Sequence, residues 1–280
     1  MNIFSTKNEV RNYWEQLKRE GKKIGFVPTM GALHQGHLEL VKRAKSENEI
    51  VISSIFVNPT QFDNDEDLKK YPRTLEVDCD LLRSAGCDAA FAPSAEEMYD
   101  EMPRLSFDFG NIETVMEGKY RKGHFKGVGI VVAKLFNIVL PDKAYLGKKY
   151  LKQVDVVKRL VKDLSFALEI IPCETIREKD GLAMSSRNRR LSTQGREVAF
   201  NVHLSLKIAQ EMLLTGSTTS EAKDAVQNHF KDLPQFSVEY FEIVDFETFE
   251  PILVLNSHGQ TAICTANYLE DVRLIDNVVF

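Results

Sequence analysis

Between Lys23 and Pro172 the chain repeats one pattern, a short apolar run followed by a longer amphipathic one. "KIGFVP" reads as a short buried strand. "HLELVKRAKSEN" then places Leu38, Val41 and Ala44 on one helical face, with charges elsewhere. "EIVISSIFV", Glu49 to Val57, is continuous and β-branched, the composition of a strand covered on both faces. Further on, "TLEVDCDLLRSAG", "GVGIVVAKLFNIVL" and "LKQVDVVKRLVKDL" read as helices, and "CDAAFAP", "KAYLG" and "ALEIIP" as the strands that follow them. Alternation of this kind predicts a parallel sheet with helices on both faces, whose ligands sit beyond the carboxyl ends of the strands. A helix capped by Ser5 or Thr6 and ended by Gly21 precedes the pattern.

After Ile176 the texture changes. Two helices, about Thr193–Leu214 and Ser220–Leu233, precede the alternating runs "SVEYFEIVDF", "QTAICTANYL" and "VRLIDNVVF". Thr215–Thr219 and Phe230–Pro234 read as connections. The predicted fold class is α/β: a Rossmann-like parallel-sheet domain over residues 1–175 and a smaller C-terminal α+β domain over 176–280. A chain of 280 residues has room for both.

Net charge is −5, so there is no broad basic surface for nucleic acid, and an anionic ligand needs a local cationic pocket. Cys79, Cys87, Cys173 and Cys264 are scattered without a CxxC pair, which predicts neither a disulfide framework nor a cysteine zinc site. The first twenty residues carry charges throughout, and no run approaches the ~20 apolar residues of a membrane span. The expectation is a cytoplasmic protein with no membrane partner.

Two of the six histidines stand three residues apart in "PTMGALHQGH", where a strand gives way to a helix. A helix start presents unpaired N–H groups and a partial positive charge, which suits phosphate. That dipole is worth about 0.3–1 kcal/mol, or about 2 when partly buried. His34 and His37 add directional donors, and Gly31 and Gly36 permit close backbone approach. A capped turn with two half-exposed rings, or half a zinc site, are the alternatives; zinc needs further ligands, and no Cys/His cluster accompanies the pair. A phosphate clamp is the better reading. A second cluster, "REKDGLAMSSRNRRL", gathers Ser185, Ser186, Arg187 and Arg189 in a loop before a helix. Such donors suit a triphosphate; a solvated basic loop with serine caps is the competing reading.

HxGH followed far downstream by Met-Ser-Ser-Arg resembles the HIGH/KMSKS nucleotidyltransferases. The strings "PTMGALHQGH", "SIFVNPTQF", "YPRTLEVD", "GHFKGV", "VVAKLFNIVLPDKAYLG" and "DGLAMSSRN" stand in the order of the pantoate–β-alanine ligase (pantothenate synthetase) family. "VRLIDN" near the end is also similar. The resemblance implies ATP-dependent condensation of (R)-pantoate with β-alanine through pantoyl adenylate, with Mg2+ accompanying ATP, in a homodimer whose C-terminal domain acts as a lid.

By the same resemblance ATP is bound by Met30, Gly31, Ala32, Leu33, His34, Gln35, Gly36 and His37, by Gly147, Lys148, Lys149 and Tyr150, and by Ile176, Met184, Ser185, Ser186 and Arg187. His34, His37, Lys149, Ser185 and Arg187 are the expected catalytic group, with His37 at the family's proton-donor position. Gln61 and Gln153 are expected to bind pantoate, Gln61 also lying where β-alanine approaches. Asn58 helps shape that pocket, Tyr71 its wall, and Asp78 is a candidate magnesium contact, with capping of the next helix as the alternative for both. One string departs from the family: in "GKKYLKQ", Lys148 replaces an acid, Tyr150 an aspartate and Lys152 a glutamine. Tyrosine is a weaker and bulkier acceptor for ribose hydroxyls, so weakened ATP binding is expected. Two other readings compete: a nucleotidyltransferase that stops at nucleotide transfer, and a non-catalytic nucleotide-binding regulator.

Overall fold

The first strand leaves no signal in the pattern. Asn2–Phe4 (β1) is three residues long, too few for periodicity to register, yet it forms a parallel edge of the main sheet. The helix after it, Lys7–Arg19 (α1), starts where Thr6 and Glu9 form a reciprocal capping box, and Gly21 leaves it with a positive φ of 68°. The computed structural model describes residues 1–62, 65–255 and 259–280. They form two compact units, Met1–Glu174 and Thr175–Phe280.

In the first unit the predicted strands appear as Ile24–Thr29 (β2), Ile50–Ile55 (β3), Ala89–Phe91 (β4), Lys143–Gly147 (β5) and Glu169–Cys173 (β6). Their order is β1-β4-β3-β2-β5-β6, and every pairing is parallel. Alternate residues serve opposite faces, as a period of two requires. Phe26, Ile52, Phe91 and Ala144 pack with Val10, Leu17, Leu135 and Leu160 from three helices on one face. Val27, Val51, Ala90 and Tyr145 pack with Val41, Ala44 and Leu82 on the other. Successive strands run outward from β2 through β3 to β4, and the chain then returns to place β5 on the other side of β2. That reversal makes β2/β5 the switch point, and the carboxyl ends of both strands open onto one edge.

The second unit sets Phe236–Asp245 (β7), Thr261–Leu269 (β8) and Val272–Val279 (β9) into an antiparallel sheet with β8 in the centre. Helices Asn201–Leu214 and Thr219–Lys231 supply Val202, Leu206, Ala209 and Val226 to a core with Ile263, Leu269 and Leu274. The expected single helix from Thr193 is broken into Thr193–Val198 and Asn201–Leu214. Asn201 explains the break: its Nδ2 donates to the Val198 carbonyl at 2.8 Å, a local bond that competes with the helical ladder.

A buried ion pair ties the start of the serine/arginine loop to β9. Arg177 donates to both oxygens of Asp276 at 2.6 and 3.0 Å and to the carbonyls of Gly181 and Asn277 at 3.1 Å each, while the Asp276 side chain is fully buried. Removing one partner of such a pair strands the other charge. Asp276→Ala should therefore lower the unfolding free energy in guanidinium titrations by about 3–5 kcal/mol. A loss below about 1 kcal/mol would show that the pair does not hold this unit together.

Candidate active site

At the carboxyl end of β2 the chain turns sharply through Gly31 and Ala32, with φ of 81° and 50°. Glycine takes this region freely, whereas alanine pays about 1–2 kcal/mol. A Cβ on Gly31 would stand 2.9 Å from Asp78 Oδ2 and 3.1 Å from Ile55 Cγ2. The Asp78 carboxylate lies under the turn, 1% exposed, and accepts the Ala32 N–H at 2.9 Å, the Leu33 N–H at 2.8 Å and the Thr74 hydroxyl at 3.1 Å. This geometry favours the structural reading of Asp78 over the expected magnesium contact: its oxygens accept from the turn backbone and from Thr74. Tyr71 is buried against Phe62, their rings 5.8 Å apart and edge to face.

His34 is the N-cap of the helix Gln35–Glu47 (α2), and His37 lies in its first turn. His34 Nδ1 accepts the Gly36 N–H at 3.1 Å, and His37 Nδ1 accepts the His34 N–H at 3.3 Å. With both Nδ1 atoms accepting, the ring proton sits on Nε2 in each, on the opposite side of the imidazole. The two rings are 4.1 Å apart. Burial, followed by the nearby Lys149 charge, pushes the His37 pKa down to about 4, so this ring is neutral at physiological pH. Leu33 is buried and Met30 half-buried, whereas Gln35 is exposed and donates to Glu39 on the helix surface at 2.6 Å.

Beyond the carboxyl end of β5, Gly147 leads into a short 3-10 turn, Lys148–Tyr150. Lys148 pairs with Glu174. Tyr150 is 37% exposed and stands at the N-cap of the Leu151–Asp163 helix without making a side-chain cap bond. Lys152, where the resemblance leads one to expect a glutamine, points inward and is 2% exposed. Its Nζ donates to the carbonyls of Ile112 and Val115 and lies 5.4 Å from the Phe125 ring. The departure at 152 is thus a buried structural lysine. Gln153 is half-buried on the same helix.

Gln61 ends the turn after β3 and is 9% exposed. Its Oε1 accepts from Asn58 Nδ2 at 3.2 Å, and its Nε2 is turned to the Met30 thioether, which links it to the β2 turn. Asn58 Oδ1 in turn accepts the Tyr99 hydroxyl at 2.8 Å. Tyr99, Arg121 and His124 belong to this network and were not singled out by sequence reasoning; only the string "GHFKGV" hinted at the last.

In the second unit the Met184 N–H donates to the Ile176 carbonyl at 3.0 Å, and Ser185 Oγ accepts the Arg187 N–H at 3.2 Å to cap the Ser186–Arg190 turn. Met184, Ser185, Ser186 and Arg187 are all half-buried. Among the described residues no group of three or more His, Cys, Asp or Glu is gathered to hold a metal ion, and no helix is long and apolar enough to cross a membrane.

Neutral imidazole donors, a lysine and a helix start at a switch point are an arrangement that can accept an anion, and the Gln61 amide lies next to Met30 of the same turn. The comparisons agree with that chemistry. The pantothenate synthetase of Cytophaga hutchinsonii is 47% identical over 272 residues, 97% of this chain and 96% of that protein. That of Bacteroides thetaiotaomicron is 44% identical over 280 residues, 100% of this chain and 99% of that protein. The crystal structure of pantothenate synthetase from Thermus thermophilus superposes with a TM-score of 0.92 at 43% identity, covering 99% of each chain. A pantoate-beta-alanine ligase from Francisella tularensis, complexed with beta-gamma ATP and beta-alanine, gives 0.83 at 37% identity, covering 100% of this chain and 97% of that one. A model of the pantoate-beta-alanine ligase family matches residues 2–279, and the chain belongs to that family, whose ATP-dependent ligation serves pantothenate biosynthesis.

Proposed function

We propose that the chain condenses (R)-pantoate with β-alanine in two steps. A pantoate carboxylate oxygen attacks the α-phosphorus of ATP, the bond to the β-phosphate breaks, and pyrophosphate leaves. The β-alanine amine then attacks the acyl carbon of pantoyl adenylate, AMP leaves with the bonding electrons, and the new amide nitrogen loses its proton to solvent. The observation that carries this reading is the tautomer of the histidine pair: Nδ1 atoms bonded to backbone leave the donor on Nε2 of each ring. Donors held in advance suit a phosphate whose charge shifts in the transition state. Lys149 adds a point charge, and Ser185, Ser186 and Arg187 are assigned to the phosphates, Ile176 and Met184 to the nucleotide and Gln61 and Gln153 to pantoate, by the family resemblance. Residues 176–280 are given the role of a lid that keeps water from the acyl adenylate, and the active form that of a homodimer. Mg2+ would accompany ATP and supply charge neutralisation at the triphosphate.

His34→Asn keeps an N-cap acceptor and His37→Gln keeps a polar side chain, but each loses its imidazole donor. Either change should cut kcat for pantothenate formation about 10²–10³-fold with the fold retained by circular dichroism. Undiminished turnover in both would end the assignment. So would ATP binding without pyrophosphate release when pantoate and magnesium are supplied to the unmodified protein, the outcome a non-catalytic regulator gives.

A ring with a pKa of about 4 is a hydrogen-bond donor at neutral pH and a poor source of protons, so His37 is assigned an electrostatic role. Its folded pKa lies below the unfolded value of about 6.5. Between those values the unfolded chain binds the proton first, and this contribution to stability is lost as pH falls from 6.5 towards 4. Nitrogen NMR on histidine-labelled protein should find His37 protonated on Nε2 alone and titrating near 4. A midpoint near 6.5 would reverse the assignment.

Tyr150 bears on affinity. Aspartate there would supply both the missing N-cap bond and, by the resemblance, an acceptor for ribose. Tyr150→Asp should raise the melting temperature by a few degrees and lower the KM for ATP several-fold, with kcat little changed. An unchanged KM for ATP would remove the ribose from this position.

A further inference from the structure

The string "GHFKGV" enters the resemblance without a role. His124, 5% exposed, begins the helix His124–Val139. Its Nδ1 lies 2.8 Å from the Gln61 carbonyl oxygen, and its Nε2 lies 3.1 Å from Arg121 Nη1. A carbonyl only accepts, and a guanidinium only donates. One form of the ring satisfies both neighbours: neutral, with its proton on Nδ1, donating to Gln61 and accepting from Arg121. An Nε2–H tautomer or an imidazolium would turn an N–H against the guanidinium.

The helix backbone closes on the same turn. A Cβ at Gly127 would stand 2.1 Å from the Thr60 carbonyl oxygen, so only glycine fits there. The Gly127 carbonyl accepts from Asn58 Nδ2 at 3.3 Å, and that same amide nitrogen donates to Gln61 Oε1 at 3.2 Å. Gln61 is therefore held at its main chain by His124 and at its side chain by Asn58.

We propose that His124, braced by Arg121, is a positioning residue that sets Gln61 for pantoate; this rests on the reading of Gln61 as a pantoate-binding amide. Each nitrogen of the His124 ring is engaged by a protein group, so it acts through Gln61 and not on the substrate. A buried carbonyl deprived of its donor moves to find another, and the side chain on the same residue moves with it.

The test is pantothenate formation by the full chain, with pantoate, β-alanine and ATP varied in turn and thermal unfolding followed alongside. His124→Leu should raise the KM for pantoate about tenfold or more while the KM for ATP stays within about twofold. His124→Asn carries an N–H near the position of Nδ1–H and should recover most of that loss, whereas His124→Gln, with its amide one carbon further out, should not. Arg121→Ala should shift the KM for pantoate in the same direction by a smaller factor. An unchanged pantoate KM in His124→Leu, a parallel rise in all three KM values, or Asn and Gln variants that behave alike would each overturn the proposal. Should His124→Leu fail to fold, the Asn-against-Gln contrast decides alone. Gln61→Ala separates the two levels. If it raises the KM for pantoate and the His124 variants do not, only the positioning role falls; if it leaves that KM unchanged, the reading of Gln61 falls and takes this proposal with it.

Discussion

The carboxylate of Asp78 beneath the β2 turn is the interaction on which the rest of the active edge depends. Two consecutive left-handed residues, one of them alanine, are a poor choice for an isolated chain. Hydrogen bonds to a charged acceptor are worth about 1.5–3 kcal/mol each, and Asp78 makes them to both Ala32 and Leu33. Two such bonds outweigh one alanine held at positive φ. With the turn held in that shape, His34 falls at the N-cap of α2 and His37 within its first turn; His34 Nδ1 takes up the Gly36 N–H of the helix and His37 Nδ1 the N–H of the N-cap itself. The tautomer follows from the cap, and the cap follows from the turn. A carboxylate 45 residues from Leu33 in sequence thus decides which edge of each imidazole carries a proton.

That chain of causes explains what could be read from the sequence. The strands β2 to β6 and their helices were legible because each buries a face whose period shows in the residues themselves. The histidine pair was legible because it sits at a strand–helix junction, a local feature. Asp78 was visible as a residue but not in its role, since its partners are main-chain N–H groups of a remote turn and no side-chain pattern records them. β1 was missed because its pairing with β4, not its own composition, makes it a strand. Asn201 broke a helix that apolar spacing alone extends, because a single amide found a nearer carbonyl.

The same device recurs at three of the described loops that carry candidate site residues. Asp78 holds the β2 turn, His124 holds the carbonyl of Gln61, and Asp276 holds Arg177 at the start of the serine/arginine loop. In every case a buried polar group from a distant element makes a hydrogen bond to the loop. Lys152 follows suit by gathering the carbonyls of Ile112 and Val115, and its charge makes it look like a ligand contact until its surroundings are known. "GHFKGV" and "VRLIDN" each contain a residue, His124 or Asp276, that bonds to a loop distant in sequence.

Why the proposed reaction should use neutral imidazoles beside the cations Lys149 and Arg187 follows from differential binding. A cation that attracts the triphosphate equally in the ground and transition states lowers KM without raising kcat. A neutral N–H donor is weaker towards the resting substrate and gains as charge gathers on the oxygens around the attacked phosphorus. In the proposed reaction Lys149 provides standing attraction, and the same charge helps keep His37 neutral by disfavouring a second cation beside it. Burial of the ring works in the same direction. Affinity and rate are thereby assigned to different groups on one edge of the sheet. In the proposed reaction Tyr150 and Lys148, which flank Lys149, bear on the first of these, and the second rests with the imidazoles at the end of β2.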